Sequence, residues 1–289
     1  MPCWRRLARL CRPARCFWRH SVQLLPTTSP TPEALAVFAV ELAQAVRPIS
    51  RQWFRHPLEI ESKADQSPVT IADREIEQAL RQRIAERFPQ HGILGEEFGL
   101  AHGEAEYVWS IDPIDGTRSF ISGYPLWGTL LALLHHGAPV LGVIDVPVLN
   151  ECWVGLRGLG TRLNGEPCHT GARDGLSDAT LYATTPDIFD AAELAVFDAL
   201  SRRVGMRRFG GDCYSYALLA TGHVDLVMEA GLQPYDYLAL APVIEGAGGV
   251  ITDWQGRALT LSSGSQVLAA ANLELHRQAL DVIRAVPRG

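Results

Sequence analysis

This 289-residue sequence lacks the features of several common classes of protein. Its six cysteines include no C-x-x-C pair and no zinc-site spacing, so neither a zinc module nor a disulfide framework is indicated. Scattered cysteines of this kind favour free thiols in a reducing compartment, and we expect a cytoplasmic protein. No apolar run reaches the roughly 20 residues that a membrane-spanning helix needs. Lysine occurs only at Lys63, a bias that we attribute to coding and not to chemistry.

Basic residues are scarce outside the N-terminus. Residues 1–32 carry six arginines and no acidic residue, so the rest of the chain holds 20 basic and 32 acidic residues, a net charge of −12. An acidic body does not favour a nucleic acid or an anionic membrane as a partner, but it suits a protein that gathers cations. We interpret residues 1–32 as a disordered or dispensable extension. A transit peptide and a start codon assigned too far upstream are the alternatives.

Helix signals follow this extension. Thr31-Pro32-Glu33 is a typical helix start, and the apolar spacing after it predicts a helix over residues 34–54, kinked at Pro48. A second helix is predicted from Thr70-Ile71-Ala72-Asp73, which has the form of a capping box. Apolar residues then recur every four positions and form one stripe that would face a core: Ile76, Leu80, Ile84 and Phe88.

Tight turns separate the strands that we predict in the first half of the chain. Residues 126–134 and 140–146 flank the turn H-H-G-A-P, which indicates a hairpin, and Asn164-Gly165 is a strong two-residue turn signal. Strands joined in this way predict an antiparallel sheet within residues 33–170. From Ala179 onward strands alternate with helices, which predicts a mixed α/β half over residues 171–289. Pro242 conflicts with this pattern, because it lies inside a helix predicted over residues 235–246.

Candidate metal ligands and candidate phosphate-binding amides lie close together in residues 108–123, V-W-S-I-D-P-I-D-G-T-R-S-F-I-S-G. The apolar start of this segment predicts a buried strand that breaks sharply at Asp112. Asp112 and Asp115 would then repel each other at the strand end unless a hard cation such as Mg²⁺ lay between them. If a short helix starts at Gly116 and Thr117, their N–H groups would face an anion such as phosphate. For an isolated D-P-x-D-G a plain turn is the better interpretation, so other parts of the chain must decide.

Three further acidic positions lie at the ends of predicted elements: Asp73, Glu96-Glu97 and Asp236. Each has a structural alternative, since Asp73 could cap its helix and Glu96-Glu97 could be a solvated strand end. Asp236 could simply favour the positive end of the helix that it begins. Together, however, acids from distant parts of a chain are how a metal site is assembled.

Three separated motifs resemble those of the inositol monophosphatase family of Mg²⁺-dependent phosphatases. They are G-E-E at residues 95–97, D-P-I-D-G-T at residues 112–117, and P-Y-D-Y-L-A-L-A-P-V-I-E-G-A-G-G from Pro234, with Tyr235 where the family usually has Trp. The resemblance covers residues 33–289. It implies a sugar-phosphatase-like fold, an α/β (α+β) layered sandwich with an antiparallel N-terminal half and a mixed C-terminal half. It also implies two or three Mg²⁺ ions and a phosphate monoester substrate, and it leaves a homodimer open.

The resemblance assigns metal ligands residue by residue. Glu96, Asp112 and the carbonyl of Ile114 would bind one ion, and Glu96 could share a third. Asp112, Asp115 and Asp236 would bind the second ion, with Asp236 also near the substrate.

The resemblance also implies the chemistry. Gly116 and Thr117 would hold the phosphate through their amides, and Thr117, polarised by Asp73, would orient the attacking water. Metal-activated water would then attack phosphorus in line, without a covalent phospho-enzyme, and Glu96 would be part of this machinery.

Two positions resemble the histidinol-phosphate phosphatase branch of the family. Arg118 follows D-G-T, and Asp212 lies in F-G-G-D-C-Y-S-Y, where the inositol branch usually has small or hydroxyl residues. Histidinol phosphate bears a cationic amine and an imidazole that can protonate, which the carboxylates of Asp212 and Glu229 would complement. Alternatively, Asp212 only caps the helix that starts at Cys213.

The leading hypothesis is therefore a Mg²⁺-dependent histidinol-phosphatase of histidine biosynthesis. An inositol-1-phosphatase, or a related sugar or nucleotide phosphatase, is the alternative within enzymes. A catalytically silent homologue is the alternative outside them. A silent homologue should have lost a ligand, whereas Glu96, Asp112, Asp115, Thr117 and Asp236 are all present.

Overall fold

The computed structural model describes residues 30–57, 60–62 and 68–287. The prediction for residues 1–32 therefore falls almost entirely outside the described residues. The helix after it begins at Pro32, with Thr31 as its N-cap, as the sequence predicts. The α-helices of the described residues are α1 (Pro32–Trp53), α2 (Ile71–Arg87), α3 (Thr117–Ser122), α4 (Ala191–Ser201), α5 (Cys213–Ala220), α6 (Pro234–Tyr237), α7 (Leu240–Gly246) and α8 (Leu273–Ala285). Among these helices, none is both long enough and apolar enough to cross a bilayer.

Fifteen strands accompany these helices in the described residues. They are β1 (Ile60–Ser62), β2 (Pro68–Thr70), β3 (Gly92–Gly95), β4 (Gly99–Ala101), β5 (Tyr107–Asp115), β6 (Gly128–His135), β7 (Ala138–Val146), β8 (Glu151–Leu156), β9 (Gly160–Leu163), β10 (Glu166–Pro167), β11 (Thr180–Ala183), β12 (Met206–Phe209), β13 (Leu226–Glu229), β14 (Val250–Thr252) and β15 (Val267–Ala270). Short 3₁₀ turns lie at Leu176–Asp178 and Pro186–Ile188.

Two main sheets are built from these strands. The larger has the order β10-β9-β8-β7-β6-β5-β3-β4, and its neighbours are antiparallel except for the parallel pair β3 and β5. The smaller has the order β12-β11-β13-β15-β14 and is mixed, with β12, β11 and β13 parallel and β15 antiparallel to both neighbours. The predicted antiparallel meander and mixed α/β region are thus both present.

The two sheets lie in a five-layered stack. In β6, Leu131 packs into a core shared with α1 and α2, whereas its neighbour Leu130 packs on the opposite face with α5 and α7. In β15, Ala269 joins that second core, while Leu268 packs with α4 and α8. Because side chains alternate across a strand, each sheet separates two helical layers. The order is α1 with α2, the large sheet, α5 to α7, the small sheet, and α4 with α8, which confirms the layered α/β sandwich.

Both prolines inside predicted helices, Pro48 and Pro242, fit the observed ones. Helix α1 runs past Pro48, which is exposed, as is Gln44. The carbonyl that Pro48 leaves without a partner is that of Gln44, so it can reach water. The single helix predicted over residues 235–246 is wrong, because α6 ends at Tyr237 and α7 begins at Leu240. Pro242 is thereby in the first turn of α7, where its missing N–H would have had no partner in the helix.

Candidate active site

A cavity of about 660 Å³ opens where the ends of β3 and β5 meet the starts of α3, α5 and α6. Every site residue predicted from the sequence except Asp73 lines it: Glu96, Asp112, Ile114, Asp115, Gly116, Thr117, Arg118, Asp212, Glu229 and Asp236. These residues come from both sheets and span more than 130 positions of the chain. The cavity is therefore the candidate active site.

Three carboxylates that line this cavity lie close together. Asp112, Asp115 and Asp236 each offer one oxygen within 4.8 Å of the others. Asp112 is 2% exposed, and its Oδ1 is buried with no hydrogen-bond partner among the described residues. A buried, unpartnered carboxylate oxygen is costly unless a cation or a proton satisfies it. The donor set consists of hard oxygens and fits a cation such as Mg²⁺.

The pKa shifts of the three carboxylates also indicate a cation site. Burial, and then the charges of Glu96, Asp115 and Asp236, raise the pKa of Asp112 well above its usual value. Burial followed by the charges of Asp212 and Asp236 likewise raises the pKa of Asp115. Burial also raises the pKa of Asp236 to about 7, against the opposing backbone hydrogen bond from Gln233. The site therefore concentrates negative charge that the protein alone does not compensate.

Backbone donors orient two of these carboxylates. Asp115 Oδ2 accepts a 2.6 Å hydrogen bond from the N–H of Cys213, the first residue of α5. Asp236 Oδ2 accepts a 2.7 Å hydrogen bond from the N–H of Gln233, which makes Asp236 part of a capping box on α6. Asp236 therefore stabilises the start of α6 and also belongs to the carboxylate cluster.

A bulge in β5 brings Asp112 and Asp115 to the same cavity. The strand does not break at Asp112, as we expected, but continues to Asp115 with a shift in register between these two residues. Without the shift, residues three apart would point to opposite faces of the sheet. Thr129 Oγ1 donates to the Pro113 carbonyl at 2.9 Å, and Thr117 Oγ1 donates to the Ile114 carbonyl at 3.1 Å. The side chain of Ile114 is apolar and buried, so its carbonyl is the group of this residue that could bind a cation.

Glu96 lies immediately after β3, beside the carboxylate cluster. Its N–H donates to the carbonyl of Ile111 at 3.2 Å, which extends the pairing of β3 with β5. Its charge raises the pKa values of Asp112 and Asp236. Glu96 is thus electrostatically part of the cluster, although it comes from a different strand.

Asp73 is the predicted site residue that does not line the cavity. Its Oδ2 accepts hydrogen bonds from the N–H and the hydroxyl of Thr70 at 2.8 and 2.6 Å, which forms the predicted capping box of α2. Burial, with a smaller contribution from the charge of Glu96, raises the pKa of Asp73 to about 6. The hydroxyl of Thr117 donates to Ile114, so the expected polarisation of Thr117 by Asp73 is not a hydrogen bond between these two described residues.

Gly116 connects the bulge to α3, the short helix that the sequence predicts after D-P-I-D. It has φ +83°, in the left-handed region that favours glycine. A side chain here would also collide with Asp212, since an added Cβ would lie 2.8 Å from Asp212 Oδ2. This position therefore needs glycine for its backbone angle and for the close approach of Asp212.

Asp212 faces the cavity instead of capping α5. Although it is the N-cap residue, its side chain makes no capping hydrogen bond, and its Oδ2 accepts a 2.6 Å bond from the hydroxyl of Ser119. Burial raises the pKa of Asp212, against the Ser119 hydrogen bond and the charge of Arg118. Arg118 itself is exposed at the cavity mouth.

Glu229 ends β13 and is 2% exposed. Its Oε1 accepts a 2.9 Å bond from the N–H of Thr184 and a further bond from the Thr184 hydroxyl, while its Oε2 accepts a 2.9 Å bond from Tyr216 Oη. Burial nevertheless raises its pKa. Glu229 therefore contributes charge to the cavity wall from a fixed, fully bonded position.

Sequence reasoning missed several residues of the cavity. Ser119, Thr184 and Tyr216 hold the two substrate-side carboxylates, and Thr185 and Asp187 line the wall beside them. Ser119 directly follows D-G-T-R and Tyr216 lies one helical turn after Asp212, so their spacing was a usable signal. The turn that carries Thr184 and Asp187 has the sequence of an ordinary loop and offers no such signal.

Known proteins match this chain over most of its length. The model of the inositol monophosphatase family matches residues 31–287. A bifunctional phosphatase called IMPL2, chloroplastic, from Arabidopsis thaliana is 48% identical over 83% of this chain and 72% of its own. A histidinol-phosphatase from Chlorobaculum parvum is 38% identical over 81% of this chain and 91% of its own. The structure of an inositol monophosphatase from Zymomonas mobilis has a TM-score of 0.81 and 43% identity, and the match covers 89% of this chain and all of that one.

The layered α/β sandwich and the family match define a phosphoric monoester hydrolase with the sugar-phosphatase fold. More narrowly, the chain belongs to the inositol monophosphatase family.

Proposed function

We propose that this protein is a Mg²⁺-dependent histidinol-phosphatase, which hydrolyses histidinol phosphate to histidinol and phosphate in histidine biosynthesis. The observation that carries the substrate is Asp212, an acidic side chain that faces the cavity and does not cap its helix. The relative from C. parvum named histidinol-phosphatase supports the same substrate. We also propose a cytoplasmic location, in keeping with the free thiols of Cys152, Cys168 and Cys213.

Mg²⁺ suits the carboxylate cluster on chemical grounds. Asp112, Asp115 and Asp236 would hold one ion, and Glu96, Asp112 and the Ile114 carbonyl another. When bound, Mg²⁺ supplies positive charge that neutralises the carboxylates and the phosphate, and it lowers the pKa of water. The unpartnered Oδ1 of Asp112 supports a ligand role for this residue in particular.

The start of α3 would hold the phosphate and the attacking water. The N–H groups of Gly116 and Thr117 would donate to phosphate oxygens. Because the Thr117 hydroxyl proton is directed at the Ile114 carbonyl, the Thr117 oxygen can accept a hydrogen bond from water. Water so oriented forms the new P–O bond as the ester P–O bond breaks, and the alcohol leaves with a proton. Most of the rate enhancement in such reactions comes from positioning and charge neutralisation.

The substrate end of the cavity is acidic. Asp212 lies next to Gly116, and Glu229 is fixed behind it by Thr184 and Tyr216. A substrate with a cationic amine and imidazole would be attracted by both carboxylates, whereas a neutral polyol would gain little. Arg118 at the mouth would compete for Asp212 when no substrate is bound.

Inositol-1-phosphate is the second candidate substrate. It is favoured by the similarity to the Z. mobilis inositol monophosphatase and by the bifunctional name of the A. thaliana relative. The ligand set argues against a silent homologue, because all four carboxylates predicted as metal ligands line the cavity: Glu96, Asp112, Asp115 and Asp236.

Phosphate release from histidinol phosphate, inositol-1-phosphate and an adenosine bisphosphate, measured side by side, tests the proposal. We expect the highest kcat/KM with histidinol phosphate and a requirement for added Mg²⁺. Asp112→Asn should abolish activity, because it removes a bridging ligand charge. A higher kcat/KM with another ester would contradict the proposed substrate. Full activity of Asp112→Asn in excess Mg²⁺ would contradict the proposed metal ligands.

A further inference from the structure

A buried glutamate on α2 lies behind the strand end that carries Glu96. Glu77 is 0% exposed and belongs to the second turn of this helix. Its Oε2 accepts a 2.7 Å hydrogen bond from the N–H of Glu97, and its Oε1 accepts a 3.2 Å bond from the N–H of Phe98. The carboxylate therefore caps the turn between β3 and β4 from inside the protein.

Arg81, one helical turn further along α2, balances this buried charge. Its Nε donates to Glu77 Oε1 at 2.7 Å, and its Nη2 donates to the carbonyl of Gly99 in β4. Glu77 and Arg81 together thus contact the turn of residues 96–98 and the start of β4. Two side chains of one rigid helix fix the main chain of residues 97–99.

The position of Glu77 explains why Gly95, the first residue of G-E-E, has no side chain. An added Cβ would lie 1.8 Å from Glu77 Oε1 and 2.3 Å from its Cδ. The glycine is required by this carboxylate, which occupies the space where a side chain would be. Gly95 and Glu77 therefore act as one unit immediately next to Glu96.

We propose that Glu77 is a positioning residue that holds Glu96 in place for metal binding. The N–H of Glu96 is bonded to Ile111 on one side, and the N–H groups of Glu97 and Phe98 are bonded to Glu77 on the other. Bonds on both sides leave the Glu96 main chain little freedom, so its carboxylate, which is near enough to Asp112 to raise that pKa, starts from a fixed position before a cation arrives. Preorganisation of this kind raises affinity by lowering the entropy lost on binding. The inference rests on the proposed Mg²⁺ dependence.

Glu77→Gln tests this role, because it keeps the size of the side chain but removes the charge and turns one acceptor into a donor. Mg²⁺ affinity is measured by titration calorimetry and by the Mg²⁺ concentration for half-maximal phosphatase activity. We expect both to weaken at least about tenfold, while kcat at saturating Mg²⁺ stays within about threefold of the parent. Glu86→Gln, on the exposed face of the same helix, is the matched control and should change neither.

A merely structural role would give a different pattern. A lower melting temperature with unchanged Mg²⁺ affinity would overturn the inference. If the parent protein itself binds no Mg²⁺, the proposed function fails instead, so the two failures are distinguishable.

For the case in which Glu77→Gln folds poorly, Gly95→Ala gives a second test that keeps both the Glu77 carboxylate and Arg81, and a double-mutant cycle extends it. Gly95→Ala should weaken Mg²⁺ binding by displacing the Glu77 carboxylate. In a Glu77→Ala background the same substitution should have little further effect, since the clash is gone. Additive effects of the two substitutions would contradict the proposed unit.

Discussion

At the scale of single residues, Asp212 allows a role in substrate recognition to be distinguished from a structural role. Its carboxylate contacts Ser119 and Gly116 and faces the cavity. Asn has nearly the same shape and can still accept the Ser119 hydrogen bond, so Asp212→Asn removes little but the charge.

Asp212→Asn should therefore depress hydrolysis selectively. Losing a charge-assisted hydrogen bond lowers kcat/KM by ~10–100-fold, and we expect this for histidinol phosphate but not for inositol-1-phosphate. Steady-state kinetics on both esters measure the difference, with Asp281→Asn on the exposed face of α8 as control. An equal loss on both esters would mean that Asp212 only supports the loop around Gly116. No loss on either would leave the charge without a role.

Single residues also show what the sequence can and cannot predict. The D-P-I-D-G-T residues drew attention because they place two carboxylates three residues apart at a predicted strand end, and the resemblance to the family then assigned their roles. The contacts of Glu77 with the turn after β3 were not predicted, because they depend on how α2 packs against a distant part of the chain. Thr70 and Thr117 are both hydroxyl residues, and only the fold decides which one Asp73 contacts.

At the scale of elements, local signals sufficed wherever the structure depends on neighbours in sequence. The capping box at Thr70 and the turn at Asn164-Gly165 lie where they were predicted. Strands β4 and β12 were missed, since Gly-Leu-Ala and Met-Arg-Arg-Phe are short edge strands with no buried periodicity. The break between α6 and α7 was missed because its residues keep helical backbone angles and apolar character.

The packing of α8 on β14 makes a pH-dependent prediction. His276 on α8 is 4% exposed, and its Nε2 lies 2.8 Å from the hydroxyl of Thr252 on β14. Burial, followed by the charge of Arg284, lowers the pKa of His276 to about 4. The folded protein keeps this imidazole neutral, whereas in the unfolded chain it has the ordinary histidine pKa of 6.5. Its contribution to stability is therefore complete above about pH 6.5 and is lost as the pH falls toward 4.

His276→Gln should remove this dependence, because an amide can replace the hydrogen bond and does not titrate. Between about pH 7 and pH 5 we expect the parent to lose roughly 1 kcal/mol more than the variant, or about 2–4 °C in Tm. Thermal unfolding at both pH values measures this, with exposed His169→Gln as control. Parallel losses in parent and variant would show that His276 does not protonate on unfolding in this range.

At the scale of the whole molecule, the arrangement of layers could not be predicted from local patterns. Tight turns identified the hairpin of β6 and β7 and the turn between β9 and β10, but β3 joins this sheet through a parallel pairing with β5. In the small sheet, β13 lies between β11 and β15, which are far from it in sequence. Such pairings are set by long-range packing, and one sequence alone carries no direct record of them. The resemblance supplied what periodicity did not.

The N-terminal extension gives a prediction for the entire chain. The described helices and strands lie between Pro32 and Ala285, and the N-cap of α1 is Thr31. Because residues 1–30 lack the apolar periodicity and the acidic residues that would tie them to the body, deleting them should leave Tm within about 2 °C and kcat/KM within about twofold. Thermal unfolding and phosphate release on the truncated and full-length proteins measure this. A large loss of Tm would show that these residues pack on the body.

Because the carboxylate cluster joins residues of the large sheet to Asp236 beyond β13, its charge acts on the stability of the whole fold. The pKa values of Asp112, Asp115 and Asp236 are raised in the folded protein, with that of Asp236 at about 7. The folded state therefore holds more protons than the unfolded state above the usual aspartate pKa, and the metal-free protein loses stability as the pH rises toward and through 7. A bound cation removes this repulsion and stabilises only the folded state.

Mg²⁺ should consequently raise Tm more at pH 8 than at pH 6, after chelator treatment to remove other metals. In Asp112→Asn the metal-free protein should be more stable than the parent at pH 8, because one buried charge is gone, and the Mg²⁺ shift should shrink or vanish. Thermal unfolding of both proteins at both pH values, with and without Mg²⁺, gives the comparison, and Asp281→Asn serves as the charge-matched control outside the cavity. Equal Mg²⁺ shifts at the two pH values would mean that these carboxylates are already ionised at pH 6 in the folded protein. A lower metal-free Tm in Asp112→Asn would mean that the carboxylate stabilises the fold without a cation, against the charge repulsion inferred from its surroundings.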